Sequence, residues 1–109
     1  MFSDKRYEAR DWLVKNPNKV GFATNHFDTT ADALAFVDRL YAAGAVTVEV
    51  GQVFEEEWRI EEEGGPYAAT LYIVLPEDED TRHNVKIAAF KACPDEGNIT
   101  GNELRVWWD

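Results

Sequence analysis

Apolar residues recur at helical spacing in three stretches of the chain, and each stretch predicts a helix. The clearest covers residues 30–43 and is followed by Gly44, a residue type that commonly ends helices. A shorter helix is predicted over residues 4–15, and another runs from about 77 to 93, where Pro94 stops it. The residues expected to face inward are Phe2, Ala9, Trp12 and Leu13; then Ala33, Leu34, Val37, Leu40 and Tyr41; and finally Val85, Ala88, Ala89 and Ala92.

Alternation of apolar and polar residues predicts strands between and after these helices. Residues 45–50 place three valines on one face, and residues 104–108 alternate Leu, Val and Trp with Arg and a second Trp. The β-rich run over residues 67–75 ends at Pro76. Residues 20–27 are compatible with a further strand, because larger residues alternate there with small ones. After the first helix, the predicted strands therefore lie before, between and after the two longer helices.

Residues 53–63 fit two patterns. Phe54, Trp58 and Ile60 alternate with charged residues as in a strand, yet Phe54 and Trp58 also have the i, i+4 spacing of a helix. We favour the strand, since the Gly64-Gly65-Pro66 turn leads directly into the next β-rich run and would let the two segments pair as a hairpin.

The order of elements indicates the fold class. After the first helix the order is strand, helix, strand, strand, helix, strand, which is typical of a ferredoxin-like split βαβ sandwich. We therefore predict one α+β domain over residues 1–109, in which two helices cover one face of an antiparallel sheet. Residues 1–18 would be a helical extension packed on it. Segment 53–63 would lengthen the second strand or add a fifth.

Composition and charge limit the partners of this domain. Hydrophobic residues make up 45% of the 109 residues, which is enough for one packed core. The formal charge of −10 argues against direct binding of nucleic acid or of anionic membranes, because both need clustered Lys and Arg. Apolar runs such as 71–75 are too short to span a bilayer, and the N-terminus carries charges where a signal peptide needs apolar residues. These features predict a cytoplasmic protein.

No catalytic motif stands out, and we expect neither a cofactor nor a metal. A catalytic site would have to be assembled from scattered residues such as His26, Asp28 and Glu49, so an enzyme is the least favoured class. The carboxylates of residues 77–80 lack the pattern of a calcium loop and are better explained as favourable charges at a helix N-terminus. Cys93 is the only cysteine, and we expect it to be packed as a small hydrophobe.

The strongest candidate for binding is the acidic segment, which we define as residues 55–63. Its carboxylates, together with those of residues 77–80, would attract a basic protein surface or contribute to a homodimer, and Trp58 would be the aromatic anchor. A variant of this hypothesis is a nucleic-acid mimic, such as an immunity or anti-defence inhibitor. Alternatively, the charges only keep a sheet edge from aggregating. The acidic residues concerned are Glu55, Glu56, Glu57, Glu61, Glu62 and Glu63.

A second candidate surface is the sheet face that the helices leave open. Trp107 points away from the side of Leu104 and Val106, and we expect Phe22 and Tyr72 to join it. Such an aromatic face would suit a small-molecule regulatory domain, in which a flat ligand lies on the sheet. The alternative is that the N-terminal helix or a second subunit covers this face.

Two short motifs carry a resemblance. The run TLYIVLPEDED over residues 70–80 and the terminal RVWWD over residues 105–109 resemble a group of small, uncharacterised bacterial proteins. Those proteins pair a strand ending in Leu-Pro and acidic residues with a Trp-Trp-Asp terminus. The resemblance covers roughly the second half of the chain, implies a bacterial origin, and supplies no activity and no site residue.

Overall fold

A computed structural model describes residues 5–109, which form five strands and four helices. Phe2, which was predicted to face inward, lies outside the described residues. None of the helices in residues 5–109 has the length and apolar composition that crossing a membrane requires. In chain order the elements are β1 (Tyr7–Glu8), α1 (Ala9–Lys15), α2 (Thr30–Ala43), β2 (Thr47–Gly51), α3 (Glu57–Glu63), β3 (Thr70–Val74), α4 (Glu79–Phe90), β4 (Glu96–Thr100) and β5 (Glu103–Trp107).

The strands form one antiparallel sheet in the order β1-β2-β3-β5-β4. Residues directly opposite each other in an antiparallel pair share a face, so the register defines two faces. One face is apolar, and its central side chains are packed in one core with the buried residues of α1, α2 and α4. The other face is half-buried and carries both charged and aromatic side chains, and we call it the open face. The apolar face presents Val48, Val50, Leu71, Ile73, Leu104 and Val106.

Helix α2 agrees with its prediction at both ends. The Thr29 hydroxyl accepts a hydrogen bond from the Asp32 amide, which caps the first turn. Gly44 adopts φ 118°, and its N–H bonds the last carbonyls of the helix. The predicted inward residues Ala33, Val37 and Leu40 are buried. Correct local signals at both ends explain why this was the clearest element in the sequence.

Trp108 lies where the sheet, α2 and the end of α4 meet. It is 1% exposed, and its indole N–H donates a 2.9 Å hydrogen bond to the Ala92 carbonyl just after α4. Its ring packs edge-on against Phe22, Phe27 and Phe36 at centroid distances of 5.5–5.8 Å. The burial of Leu104, Val106 and Trp108 confirms the alternation predicted for the last strand.

Glu8 and Tyr41 join the first strand to α2. The Glu8 carboxylate accepts hydrogen bonds from the Tyr41 hydroxyl at 2.6 Å and from the first amides of α1. Burial alone would raise the pKa of Glu8, but these hydrogen bonds outweigh it and lower the pKa. Burial and the bond to Glu8 raise the pKa of Tyr41. The same hydroxyl accepts from the Val48 amide at 3.0 Å, so one phenol ties together β1, α2 and β2.

The strand predicted over residues 20–27 is wrong. Only Phe22 makes a bridge there, with Ala68, and Ala23 adopts φ 41°, which ends the extended backbone. The following residues turn, and the His26 and Phe27 amides donate to the Ala23 carbonyl. This segment therefore folds as a loop that delivers Phe22 and Phe27 to the core.

The strand predicted over residues 53–63 is also wrong, and the helical pattern prevails. α3 begins at Glu57, and Gly64 ends it with φ 88° and an N–H bond to Ile60, instead of forming a hairpin turn. The predicted pairing of this segment with residues 67–75 is reduced to one bridge, Phe54 to Tyr67. β3 pairs with β2 instead, because that register brings their buried valine, leucine and isoleucine side chains to one face.

β4 has no counterpart among the predicted strands. It forms a hairpin with β5 around Gly101 and Asn102, with Gly101 at φ 61°. A Gly-Asn pair between two short segments is a recognised hairpin signal, so this strand could have been predicted from the sequence.

The structure therefore confirms the coarse fold class and not the finer one. It is an α+β fold with an antiparallel sheet, as predicted. A ferredoxin-like order would place the strand from residues 20–27 between the third and last strands of that fold. Here β3 and β5 bond each other directly, and that central position does not exist.

We expect Trp108→Ala to lower the free energy of unfolding by about 3–5 kcal/mol, because it leaves a cavity among three aromatic rings and an unpaired Ala92 carbonyl. The matched control is Trp107→Ala, since the neighbouring indole is half-buried on the open face; we expect a loss of about 1 kcal/mol. Urea unfolding followed by circular dichroism measures both. Equal losses would contradict the central role of Trp108.

We expect Tyr41→Phe to lower the free energy of unfolding at pH 7 by about 1–3 kcal/mol, since the buried Val48 amide loses its partner. Glu8 adds a pH-dependent part. Its pKa is lowered by folding, so its contribution is present above the unfolded pKa of about 4.3 and is lost as the pH falls through the folded pKa. The difference in unfolding free energy between wild type and variant should therefore be smaller at a pH below the folded pKa of Glu8 than at pH 7. A constant difference across the series would contradict this role of Glu8.

Candidate functional site

The acidic segment contains a helix that belongs to the surface of the fold. None of the residues of α3 is buried. Trp58 is 50% exposed and Ile60 is 43% exposed, although both are large apolar side chains. On a helix, residues three and four positions apart are neighbours, so Trp58 shares its side of α3 with Glu61 and Glu62. The arrangement is an exposed indole beside carboxylates.

Arg59 is the only cation of the segment, and it is used within it. Its guanidinium lies over the Trp58 ring at 4.7 Å and over the Phe54 ring at 5.2 Å. It also pairs with Glu63 at 2.9 Å and lies 3.5 Å from Glu56. Its effect on the segment is therefore to hold the Trp58 ring in place while the charge stays strongly negative.

The predicted carboxylates differ in their surroundings. Glu55 accepts a 3.1 Å hydrogen bond from the Tyr7 hydroxyl, so it connects the segment to β1; burial and this bond raise the pKa of Tyr7. The pKa of Glu56 is lowered by a hydrogen bond from the backbone N–H of the same residue and by the nearby Arg59, although desolvation opposes both effects. Glu57, Glu61 and Glu62 are exposed side chains. These three are the carboxylates most available to a partner.

A concavity of about 430 Å³ lies beside α3. Its far wall is the loop of residues 20–27, for which a strand was predicted. A 3.2 Å hydrogen bond from the Thr24 amide to the Tyr67 hydroxyl holds this loop. The wall contributed by α3 carries Arg59 and Glu63. The lining residues are Asn18, Val20, Thr24, Arg59, Glu63 and Tyr67.

The open face brings together two of its three predicted aromatic residues. Tyr72 and Trp107 lie on the same face, in adjacent rows of the register. Phe22 does not join them: it is 1% exposed, in the core beside Trp108 on the opposite side of the sheet, so its predicted placement is wrong. The aromatic surface is therefore smaller than predicted.

Charged side chains that the sequence did not reveal occupy much of this face. The Arg6 guanidinium lies 3.5 Å from the centre of the Tyr72 ring, donates to Glu103 at 2.7 Å and lies 3.8 Å from Glu49. The hydrogen bond to Glu103 raises the pKa of Arg6. Since Arg6 is far from these residues in sequence, no local pattern could have indicated the contact. One face of the Tyr72 ring is thus already occupied.

Gln52 fixes the second arginine of the open face. Its side-chain oxygen accepts from the Arg105 guanidinium at 2.8 Å and from the Thr70 hydroxyl at 2.9 Å. Its backbone adopts φ 51°, a left-handed conformation that is uncommon for a residue with a side chain. Arg105 also lies 3.7 Å from Glu96. The cations of the open face are therefore paired with groups of the same face.

The remaining sequence candidates do not converge. His26 lies 3.6 Å from Asp95 rather than beside Asp28, and Glu49 lies on the open face near Arg6. Asp78 caps α4, and its pKa is lowered by hydrogen bonds from the Thr81 hydroxyl and amide. Within residues 5–109, no group of three or more His, Cys, Asp or Glu side chains is placed to hold a metal ion.

Cys93 corrects another expectation. It is exposed rather than packed, and its backbone adopts φ 49° in the turn that follows α4. The burial predicted from its residue type is therefore wrong, because its place in a tight surface turn overrides the general tendency of cysteine.

Comparison with known proteins adds no relative to this picture. No family model, no curated protein and no solved structure matches the chain. The resemblance carried by residues 70–80 and 105–109 stays a prediction.

We expect Arg6→Ala to lower the free energy of unfolding by about 1 kcal/mol, because it removes a stacked cation and leaves Glu49 and Glu103 without it. Arg10→Ala is the matched control, because Arg10 also pairs with a carboxylate, Asp38 at 3.0 Å, but in a more exposed position than Arg6. We expect at most about 0.5 kcal/mol for the control. Denaturant unfolding gives both values, and the Tyr72 ring proton shifts report the loss of stacking. Unchanged shifts would contradict the Arg6–Tyr72 contact.

Proposed function

We propose that this protein is a non-catalytic interaction module whose acidic segment, residues 55–63, docks on a basic surface of another protein. The observation that carries the proposal is that α3 buries none of its residues while presenting Trp58 to solvent. A side chain of this size contributes most to stability when it is buried. An indole held half-exposed by a stacked arginine is thus better explained by a contact outside the chain.

The charge of the segment specifies the chemistry of the partner. Six glutamates and one arginine give residues 55–63 a net charge of −5, half of the −10 of the whole chain. A field of this kind accelerates association with a positively charged surface and disfavours nucleic acid. It also disfavours docking of α3 against α3 of a second copy, because like charges would face each other. The partner favoured here is a protein with Lys and Arg around an apolar pocket.

The concavity beside α3 refines this interface. A partner side chain that entered it would lie along Val20 and the Tyr67 ring, next to the ion pair of Arg59 with Glu63. Trp58 would fill the pocket on the partner. Aromatic anchors surrounded by polar groups are common in the energetic centres of interfaces.

The two alternatives fit the structure to different degrees. A nucleic-acid mimic, such as an immunity or anti-defence inhibitor, is a special case of the proposal in which the basic partner is a nucleic-acid-binding protein. A small-molecule regulatory domain would use Tyr72 and Trp107 on the open face. It receives less support, because Arg6 already covers one face of the Tyr72 ring.

The test is affinity capture from a lysate of the source cell with the wild type and a triple variant, Glu57→Lys, Glu61→Lys and Glu62→Lys. These side chains are exposed, so the fold should persist. The matched control is Asp28→Lys, Asp32→Lys and Asp109→Lys, which changes the net charge equally on another exposed part of the surface. We expect the α3 variant to lose a basic partner that the control retains.

Trp58→Ala separates the indole from the charges. For a purified partner, we expect charge reversal to slow association at least tenfold, and Trp58→Ala to accelerate dissociation with a smaller effect on association. The effect of charge reversal on the association rate should shrink as salt is added. Equal losses in the α3 variant and the control would mean that net charge alone, and not α3, attracts the partner.

A further inference from the structure

β4 forms an open edge of the sheet. It pairs with β5 on one side, and all five of its residues are exposed. The hydrogen bonds of Leu75 to Asn102 and of Trp108 to Ala69 fix the phase of the β3–β5 ladder. Because backbone groups alternate in direction along a strand, the N–H and C=O groups of Gly97 and Ile99 then point away from β5. The edge therefore offers four unpaired backbone groups.

Apolar side chains accompany this edge. Ile99 is 45% exposed, and it shares the side of Leu104, the apolar face of the sheet. Phe90 of α4 is 46% exposed, and a Cβ atom added to Gly97 would lie 2.7 Å from its ring. The Phe90 ring thus rests on the glycine backbone. The strand lacks the lysine or proline that commonly protects an open edge.

We propose that β4 pairs with β4 of a second copy of this chain, antiparallel and with the two-fold axis at Asn98. In this register Gly97 lies opposite Ile99 of the second copy, and the two residues exchange both of their backbone hydrogen bonds. The symmetric pair does the same, which gives four hydrogen bonds in total. The two sheets then become one continuous sheet of ten strands, five from each copy.

Charge and shape both select this register. Glu96 lies opposite Thr100 of the second copy, whereas an axis at Glu96 would set two carboxylates against each other. Ile99 of each copy lies opposite the side-chain-free Gly97 of the other and reaches the Phe90 ring that rests there. An axis at Gly97 would pair Ile99 with Asp95, whose amide already bonds Trp107. The register centred on Asn98 uses all four edge groups within the strand.

Salt distinguishes this contact from the docking of α3. Each copy carries a net charge of −10, so the copies repel each other and added salt should strengthen the dimer. Docking of the acidic segment on a basic partner should weaken under the same conditions. Failure of one proposal therefore leaves the other standing.

The first test is sedimentation of the purified chain over the micromolar range at low and moderate salt. We expect a monomer–dimer equilibrium that shifts toward the dimer as salt rises. Ile99→Lys should raise the dissociation constant at least tenfold, since it places a charge beside Phe90 of the second copy. Val14→Lys is the matched control, because Val14 is 57% exposed on α1 and the change in charge is the same. A monomer at every concentration and salt would overturn the proposal.

The second test fixes the register in a Cys93→Ser background, where no other thiol is present. With Asn98→Cys the two thiols face each other across a non-hydrogen-bonded pair, at a Cα separation of about 4.5 Å that a disulfide can bridge. Glu96→Cys on the same face is the matched control, with its copies about 13 Å apart. Rapid oxidation to a dimer at position 98 alone supports the proposal. Equal cross-linking of both variants, or of neither, overturns it.

Discussion

Trp108 joins the sheet to α2 and to the end of α4, and the rest of the core is arranged around it. Its ring fills the space between three phenylalanines, and its N–H satisfies the Ala92 carbonyl, so a large side chain is buried without an unpaired donor. This cluster also explains the loop of residues 20–27. Phe22 and Phe27 both reach the Trp108 ring, and the turn after Ala23 brings them there from one side of the loop.

A core on only one side of the sheet determines where charge can lie. The apolar face contains valine, leucine and isoleucine, so charged groups are confined to the open face, the loops and the outer sides of the helices. On the open face each arginine is matched by nearby acceptors: Arg6 by Glu103 and Arg105 by Gln52. α3 has only Arg59 for its many carboxylates. The surplus of negative charge is therefore exposed on α3, a helix that contributes no buried residue to the core.

The candidate sites could be predicted only in part, for a physical reason. The acidic segment was visible because a run of glutamates is a local feature, whereas its helical form depended on whether another strand would pair with it. Tyr72 and Trp107 share a face through direct strand pairing, which alternation anticipates. Arg6 and Gln52 reach the open face through contacts between distant parts of the chain, whereas the edge made by Gly97 and Ile99 follows from a local hairpin signal that the prediction did not use.

The sequence by itself determined the elements whose signals are local. α2 has its cap, stripe and terminal Gly44 within 16 consecutive residues, and the alternation of β5 is complete within five. The tertiary structure alone decided which segments pair, because a strand is selected by the partner that shares its buried face. β3 satisfies its apolar residues against β2 and β5 together, so residues 53–63 and residues 20–27 each contribute only an isolated bridge, Phe54 to Tyr67 and Phe22 to Ala68, and no strand of the sheet. Beyond these bridges, backbone hydrogen bonds form locally, within α3 in one segment and in the turn after Ala23 in the other.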